Sequence, residues 1–450
     1  MVSPYDGLPV SVAGAGVSGA AAARALRELG ARVTVVDDRA TELEDFPVRR
    51  TLPAEVALVV TSPGFRPGVP MLVEAASRGI EVIGEVELAW RVDQQLHGPG
   101  APPWLALTGT NGKTTTVKML EAILGAAGHR TVAAGNVGLP LLEAVLAPQP
   151  YDVLAVELSS FQLHWSTTVR PHTGAILNLA DDHVDWHGSF QEYALAKARI
   201  FDADVALGNA DDEVVRSLLE RARGRRVSFT LQTPRAGEVG VVEHLLVDRA
   251  FPDVPGEGTE LATLDDVQVP GDHNVANALA AAAMARSFGV PASSVREGLR
   301  AFRPEPHRNA LVAVVDDVAW VDDSKATNPH AAAASLAAYQ PVVWVAGGLL
   351  KGADVEDLVR HAAPRLRAAV LLGTDRAVLA AALGRHAPEI PVVEVTRLDT
   401  EAMQEAVAVA RSLARPGDTV LLAPAAASMD CFRDYTQRGD LFASAVQALT

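Results

Sequence analysis

The segment Leu107-Thr108-Gly109-Thr110-Asn111-Gly112-Lys113-Thr114-Thr115-Thr116 constrains the fold more than any other part of this chain. It follows the apolar run Trp104–Leu107 and precedes the amphipathic stretch Val117–Ala127, a pattern that predicts strand, tight loop and helix in succession. Gly109 and Gly112 allow successive backbone N–H groups to curl around an anion. The helix N-terminus adds its partial positive charge. In such a loop Lys113 reaches the β- and γ-phosphates of a nucleotide, and the Thr114 hydroxyl sits on Mg²⁺. The general pattern asks for glycine at the position of Leu107, so this loop is of the shorter Thr-Gly-Thr-Asn-Gly-Lys-Thr form. A bare glycine turn is the bland alternative and accounts for little of the pattern.

A loop of this kind sits on a parallel α/β sheet, and the flanking sequence agrees. At 450 residues the chain exceeds what one core usually holds, about 250 residues, and is expected to form three domains. Two Pro/Gly-rich stretches, 97–103 and 302–308, set the expected limits at 1–97, 98–303 and 304–450. Each part alternates short β-rich runs with helical periodicity. The fold class expected is α/β: a Rossmann-like N-terminal domain, a central P-loop ATPase-type parallel-sheet domain and a Rossmann-like C-terminal domain. Segment 232–269 is less regular and reads as excursions from the central sheet.

Charge and cysteine content exclude several classes. A net charge of −16 argues against non-specific nucleic-acid binding, so anionic ligands need local cations, metals and helix ends. A single cysteine, Cys431, suits a reducing cytoplasm and reads as a buried apolar residue. No apolar run is long enough to span a membrane, and the N-terminus lacks the pattern of a secretion signal, so a cytoplasmic location is expected.

Of 39 basic side chains only five are lysine: Lys113, Lys118, Lys197, Lys325 and Lys351. Arginine serves almost wherever a surface cation suffices, so the remaining lysines are candidates for work that a guanidinium cannot do. Lys118 reads as a solvated helix-face residue.

Gly14-Ala15-Gly16-Val17-Ser18-Gly19 follows a strand, with Asp37 some twenty residues on, the pattern of a dinucleotide site. The physical content is a pyrophosphate at a helix N-terminus and a ribose near a carboxylate, which a UDP-sugar presents equally well. Arg39 and the second strand-end turn Thr61-Ser62-Pro63-Gly64 are placed to line the same crevice. A tight turn with no ligand is the remaining alternative.

The apolar run from Tyr151 ends in Glu157, where P-loop proteins place the carboxylate that meets nucleotide-bound Mg²⁺. His183 follows a strand of the same predicted sheet, and His187 reads as structural. Lys197 lies on the predicted helix Phe190–Phe201 and has two readings. One is a stem along the helix with its ammonium in water. The other is a desolvated neutral amine that captures CO₂ as a carbamate beside Mg²⁺.

These segments together resemble the Mur ligase family of peptidoglycan synthesis over essentially the whole chain. The resemblance rests on 109–115, Gly135-Asn136-Val137-Gly138, Glu157-Leu-Ser-Ser-Phe-Gln-Leu163, Asp182-His183, Ala196-Lys197 and 271–278. Further on it rests on Pro306-His-Arg308, Asp323-Ser-Lys-Ala-Thr-Asn328, 347–352 and 424–429. The segments beginning at Glu157 and Asp323 are similar to those of the D-glutamate-adding branch.

The resemblance implies an ATP-dependent ligase that joins D-glutamate to UDP-MurNAc-L-Ala, a monomer with two Mg²⁺ sites. It implies ATP on Gly109, Thr110, Asn111, Gly112, Lys113, Thr114 and Thr115, with Asn277, His307, Arg308, Asp323 and Lys325 around the nucleotide. Metal would lie on Thr114, Glu157, His183 and carbamylated Lys197. Asn136 would contact the reacting end of the UDP substrate, and Val17, Ser18, Asp37, Arg39, Ser62 and Gly64 would hold the UDP. Thr327, Lys351, Ser428, Met429 and Phe432 would form the D-glutamate pocket with Lys325. The chain departs from the family's pattern at Leu349-Leu350, where polar residues are frequent, and at Ala426, where cysteine is common.

Rival readings are another amide ligase, for diaminopimelate, lysine or folate-linked glutamate, and an NAD-dependent oxidoreductase. The latter leaves the P-loop unexplained. A silent homologue would have lost Lys113, Glu157, His183 or Lys197, and all four are present.

Overall fold

The computed structural model describes residues 3–304 and 306–449. The chain divides into two compact units, one of Met1–Val267 with Ala276–Phe302, the other of Gln268–Val275 with Arg303–Thr450.

The first unit carries two sheets. Strands β1 (Pro9–Ala13), β2 (Arg32–Val36), β3 (Val48–Arg49), β4 (Leu58–Thr61) and β5 (Glu81–Gly84) form a sheet in the order β3-β2-β1-β4-β5. All its pairs are parallel. The order reverses between β1 and β4, which opens a crevice at their carboxyl ends. The second sheet contains β6 (Trp104–Thr108), β7 (Thr131–Gly135), β8 (Val153–Glu157), β9 (Thr173–Ile176), β10 (Val205–Asn209) and β11 (Arg225–Phe229). It continues through β12 (Glu238–Val242), β13 (Leu245–Asp248) and β14 (Thr259–Thr263), in the order β14-β13-β12-β11-β10-β9-β6-β8-β7. Strands β6 and β8 are buried throughout, which is why they read as continuous apolar runs. The irregular segment 232–269 adds antiparallel strands β13 and β14 to the sheet edge. One apolar core runs beneath both sheets, from Val10, Val12 and Ile83 to Ala106, Leu154 and Val156.

The second unit holds β15 (Ala310–Val315), β16 (Val318–Asp322), β17 (Val342–Gly347), β18 (Leu366–Leu372), β19 (Val392–Glu394) and β20 (Thr419–Leu422). Their order is β15-β16-β20-β17-β18-β19. Only the β15–β16 hairpin is antiparallel. Apolar side chains cover both faces, with Trp344 on one side and Trp320 on the other. No helix among the described residues is long and apolar enough to cross a membrane.

Candidate active site

Strand β6 lies between β8 and β9, where the central sheet changes direction, so the loops after these strands open on one edge. Residues 109–112 form the loop after β6, and helix Lys113–Ala126 begins directly behind it. Gly112 has φ +80°, and a Cβ there would lie 2.3 Å from Asn277 Oδ1, so glycine is required and Asn277 stands against the loop. Asn178, at the end of β9, clamps the loop: its carbonyl accepts from Thr110 N at 2.9 Å and its Oδ1 from Asn111 N at 2.8 Å. Thr110 Oγ1 meets the Tyr193 hydroxyl at 2.8 Å.

Lys113 Nζ folds back onto the carbonyls of Gly109 (2.9 Å) and Thr110 (3.0 Å), so its charge is held at the loop mouth. Thr114 Oγ1 donates to Glu157 Oε2 at 2.9 Å, and Asn136 Nδ2 donates to Glu157 Oε1 at 2.8 Å. Glu157 is buried at the end of β8. Thr115 follows on the same helix, half-buried.

Helix Phe190–Ala198 brings Lys197 beneath the loop, where the side chain is 2% exposed. Its Nζ donates to Thr108 Oγ1 (3.1 Å) and Gly109 O (2.9 Å), while the Thr108 hydroxyl donates onward to Leu158 O (2.6 Å). Two acceptors match the two N–H bonds of a neutral amine and leave its lone pair. Burial, and after it the charge of Lys113, hold this amine well below the ordinary lysine pKa, with Asp182 and Glu157 opposing. The solvated-stem reading of Lys197 is therefore overturned by its burial.

His183 follows β9 in a left-handed conformation, φ +53°, exposed, with its ring 4.7 Å from that of Phe161 and Nε2 3.5 Å from Asp182. It and Lys197 flank Tyr193, whose ring is 6.4 Å from the imidazole and 4.9 Å from Lys197 Nζ. His187 is structural: its Nε2 pairs with Ser160 Oγ at 3.0 Å and its ring stacks on Phe161. Among the described residues, no three His, Cys, Asp or Glu side chains form a ready metal cage. The donors at Glu157 and Thr114 are nonetheless all oxygen, as a hard cation shared with a nucleotide requires.

In the N-terminal crevice Val17 is exposed, Ser18 half-buried and Arg39 exposed. A Cβ on Gly19 would fall 1.9 Å from Gly14 O, which explains the close turn. Asp37 is committed to that turn. It accepts from Ala15 N (2.8 Å) through Oδ2 and from Arg39 N and Ala40 N through Oδ1. Burial opposes its ionisation, and these three donors outweigh it, holding the carboxyl below its usual value. Ser62 Oγ faces the same turn, buried and without a hydrogen-bond partner, and Gly64 is exposed beyond it.

The second unit gathers its own set at the carboxyl ends of β16, β20 and β17. His307 Nδ1 meets Asp322 Oδ2 at 2.6 Å, and that hydrogen bond raises the imidazole's pKa. Arg308 adjoins Asp323, whose carboxyl accepts from Asn309 N at 3.2 Å and is pushed up to about 6 by burial. Lys325 Nζ lies 3.8 Å from the centre of the Tyr435 ring. Thr327 is half-buried, Lys351 is exposed at φ +55°, Ser428 is buried and Met429 exposed. Phe432 does not form an open pocket wall, because it is packed in the core with Trp320 and Phe442. Tyr435 is the aromatic beside Lys325. Asn178, Tyr193 and Tyr435 were not among the expected site residues. Asn178 follows a predicted strand and Tyr193 lies on a predicted helix, but nothing in their spacing marks their contacts.

A phosphate loop, its acidic partner on the neighbouring strand and a buried lysine beneath define a nucleotide-phosphate site built on an α/β sheet. The Mur ligase middle-domain model matches residues 107–285 and the Mur ligase glutamate ligase domain model matches 307–426. Residues 6–64 match the C-terminal domain model of alanine dehydrogenase/PNT, consistent with a Rossmann-like N-terminal domain. The UDP-N-acetylmuramoylalanine--D-glutamate ligase of Thermobifida fusca is 58% identical, over 98% of this chain and 99% of the relative. That of Streptomyces coelicolor is 56% identical over the full length of both. Two solved structures share the fold: UDP-N-acetylmuramate-alanine ligase MurC of Thermotoga maritima and MurF of Acinetobacter baumannii. MurC has TM-score 0.60 and 19% identity, covering 98% of this chain and 100% of its own; MurF has TM-score 0.62 and 20% identity, covering 98% and 92%. The chain belongs to the Mur ligase family.

Proposed function

We infer that this protein is an ATP-dependent ligase that adds D-glutamate to UDP-N-acetylmuramoyl-L-alanine in peptidoglycan precursor synthesis. Within the family, the choice of acceptor is supported by the likeness to the D-glutamate ligases of T. fusca and S. coelicolor. The observation that carries the chemistry is Glu157, held from one side by Thr114 and from the other by Asn136, beside the loop that binds phosphate.

The L-alanine carboxylate attacks the γ-phosphorus of ATP, giving an acyl phosphate and ADP. The amine of D-glutamate attacks the acyl carbon, and the tetrahedral adduct expels phosphate and loses a proton to leave the amide. ATP supplies the leaving group, so the protein's work is positioning and charge neutralisation. Lys113 and the loop N–H groups hold the phosphates, and Asn136 orients the reacting end of the UDP substrate. Mg²⁺ on Thr114 and Glu157, with a second on His183 and a CO₂-derived carbamate of Lys197, would draw charge from the transferring phosphoryl group. The crevice at Val17, Ser18, Asp37, Arg39, Ser62 and Gly64 holds the UDP, with Asp37 also shaping the turn. Lys325, Lys351, Thr327 and Ser428 receive the dicarboxylate, and Asn277, His307, Arg308 and Asp323 the nucleoside.

Phosphate release from Mg-ATP with UDP-MurNAc-L-Ala tests the reading. Release that needs D-glutamate, and that L-lysine, L-glutamate and diaminopimelate do not support, is expected. Release with another acceptor in place of D-glutamate overturns the assignment.

A further inference from the structure

The Asp182–His187 segment contains a side chain to which none of the steps above gives a role. Trp186 Nε1 donates to the carbonyl of Gly64 at 3.3 Å, across 122 residues of sequence. Gly64 ends the turn after β4 that lines the proposed UDP crevice. The indole is half-buried, with ring centres at 4.9 Å to Phe161, 4.5 Å to His187 and 5.1 Å to His164. Phe161 in turn lies 4.7 Å from His183 on its other side. One contiguous aromatic cluster therefore runs from the turn after β4 to His183, with Trp186 at the Gly64 end and Phe161 between it and His183. Beside it Trp165 Nε1 donates to the next carbonyl, that of Phe65, at 3.4 Å, and Gly84 N donates to Trp165 O at 3.0 Å. Trp165 thus ties the same turn to the end of β5, away from His183.

We propose that Trp186 is a positioning residue for the UDP-linked substrate, setting the turn at Ser62–Gly64 through the Gly64 carbonyl in register with His183 through Phe161. The inference rests on the reading of that crevice as the UDP site. The pyrophosphate end and the acyl end of the substrate must be held at a fixed separation for in-line attack. The Trp186 indole is a rigid aromatic spacer between the two walls. Trp186→Phe leaves the ring that supports Phe161 and His183 in place, so the effect of losing the N–H falls on the Gly64 turn.

Trp186→Phe keeps a ring in the stack and removes the N–H. The Gly64 carbonyl it frees is at the surface and regains water, so the variant is expected to fold. KM for UDP-MurNAc-L-Ala is expected to rise roughly fivefold, the usual net worth of one hydrogen bond. KM for ATP and for D-glutamate should stay within about twofold of the parent. Trp186→Leu, which also removes the ring, should lower kcat in addition, because Phe161 and His183 lose their support. Unchanged KM for the UDP substrate in Trp186→Phe, or an equal rise in all three KM values, overturns the proposal. Should Trp186→Phe fail to fold, the same split is read from Trp186→Leu. An inactive parent enzyme with this substrate would instead overturn the reading of the crevice itself.

Discussion

Lys113 Nζ and Lys197 Nζ both donate to the carbonyl oxygen of Gly109, each at 2.9 Å. Burial, and after it the charge of Lys113, hold the Lys197 amine well below the ordinary lysine pKa. The same carbonyl therefore ties the lysine at the loop mouth to the buried amine beneath it.

Lys197→Met tests this directly. Gly109 O keeps Lys113, and the Thr108 hydroxyl still donates to Leu158 O. Thermal stability should therefore stay within a few degrees of the parent, while kcat falls by about 100-fold or more, as for loss of a charge-stabilising group. Lys197→Arg should be equally inactive, since a guanidinium forms no carbamate. Near-parent kcat in Lys197→Arg, measured by phosphate release, would contradict the role.

Glu157 accepts from Thr114 and Asn136 through different oxygens. Glu157→Gln preserves the shape and turns one acceptor into a donor, removing the negative charge. The variant should fold, need far more Mg²⁺ for half-maximal rate, and lose roughly 100-fold in kcat/KM. An unchanged Mg²⁺ titration would show that the carboxylate does not meet the metal.

Lys351 stands in the left-handed region at φ +55°. Strain at a non-glycine residue in this region costs about 1 kcal/mol, and retaining it argues for the side chain. Lys351→Gly should therefore raise or preserve the melting temperature while raising KM for D-glutamate more than about tenfold. A fall in stability with normal D-glutamate kinetics would reverse the argument.

Glu85 is buried between β5 and helix Ser160–His164, accepts from Gln162 Nε2 at 3.2 Å, and is pushed up to about 7 by burial. The unfolded chain releases this proton near pH 4.5 and the folded chain near 7, so stability falls as pH rises through that window. The cost above it is on the order of 3 kcal/mol. Glu85→Gln keeps the hydrogen bond and has no proton to lose. Its melting temperature should exceed the parent's at pH 8 and converge with it near pH 5. Parallel melting curves across that range would count against a proton held on Glu85.

The strands that carry the phosphate loop, Glu157 and Asn178 were legible because they are buried on both faces and leave long apolar runs. So was the crevice after β1, since its glycines answer to backbone contacts. Contacts that depend on where a side chain turns were not legible. Asp37 carries the right spacing for a ribose contact, but that spacing does not show that its carboxylate also accepts from the Ala15, Arg39 and Ala40 N–H groups. Phe432 and Tyr435 stand three residues apart across the start of helix Tyr435–Gln447, with no shared period to say which faces the core. The β15–β16 hairpin escaped notice because its outer strand leaves Leu311 and Val314 exposed, which blurs the alternation.

The most direct test uses UDP-MurNAc-L-Ala labelled with ¹⁸O in the alanine carboxylate, followed by mass spectrometry of the released phosphate. Transfer of one ¹⁸O to phosphate, with D-glutamate joined to the labelled substrate in equal amount, is the expected result. Phosphate free of label, or release that proceeds without D-glutamate being incorporated, would contradict ligation through an acyl phosphate.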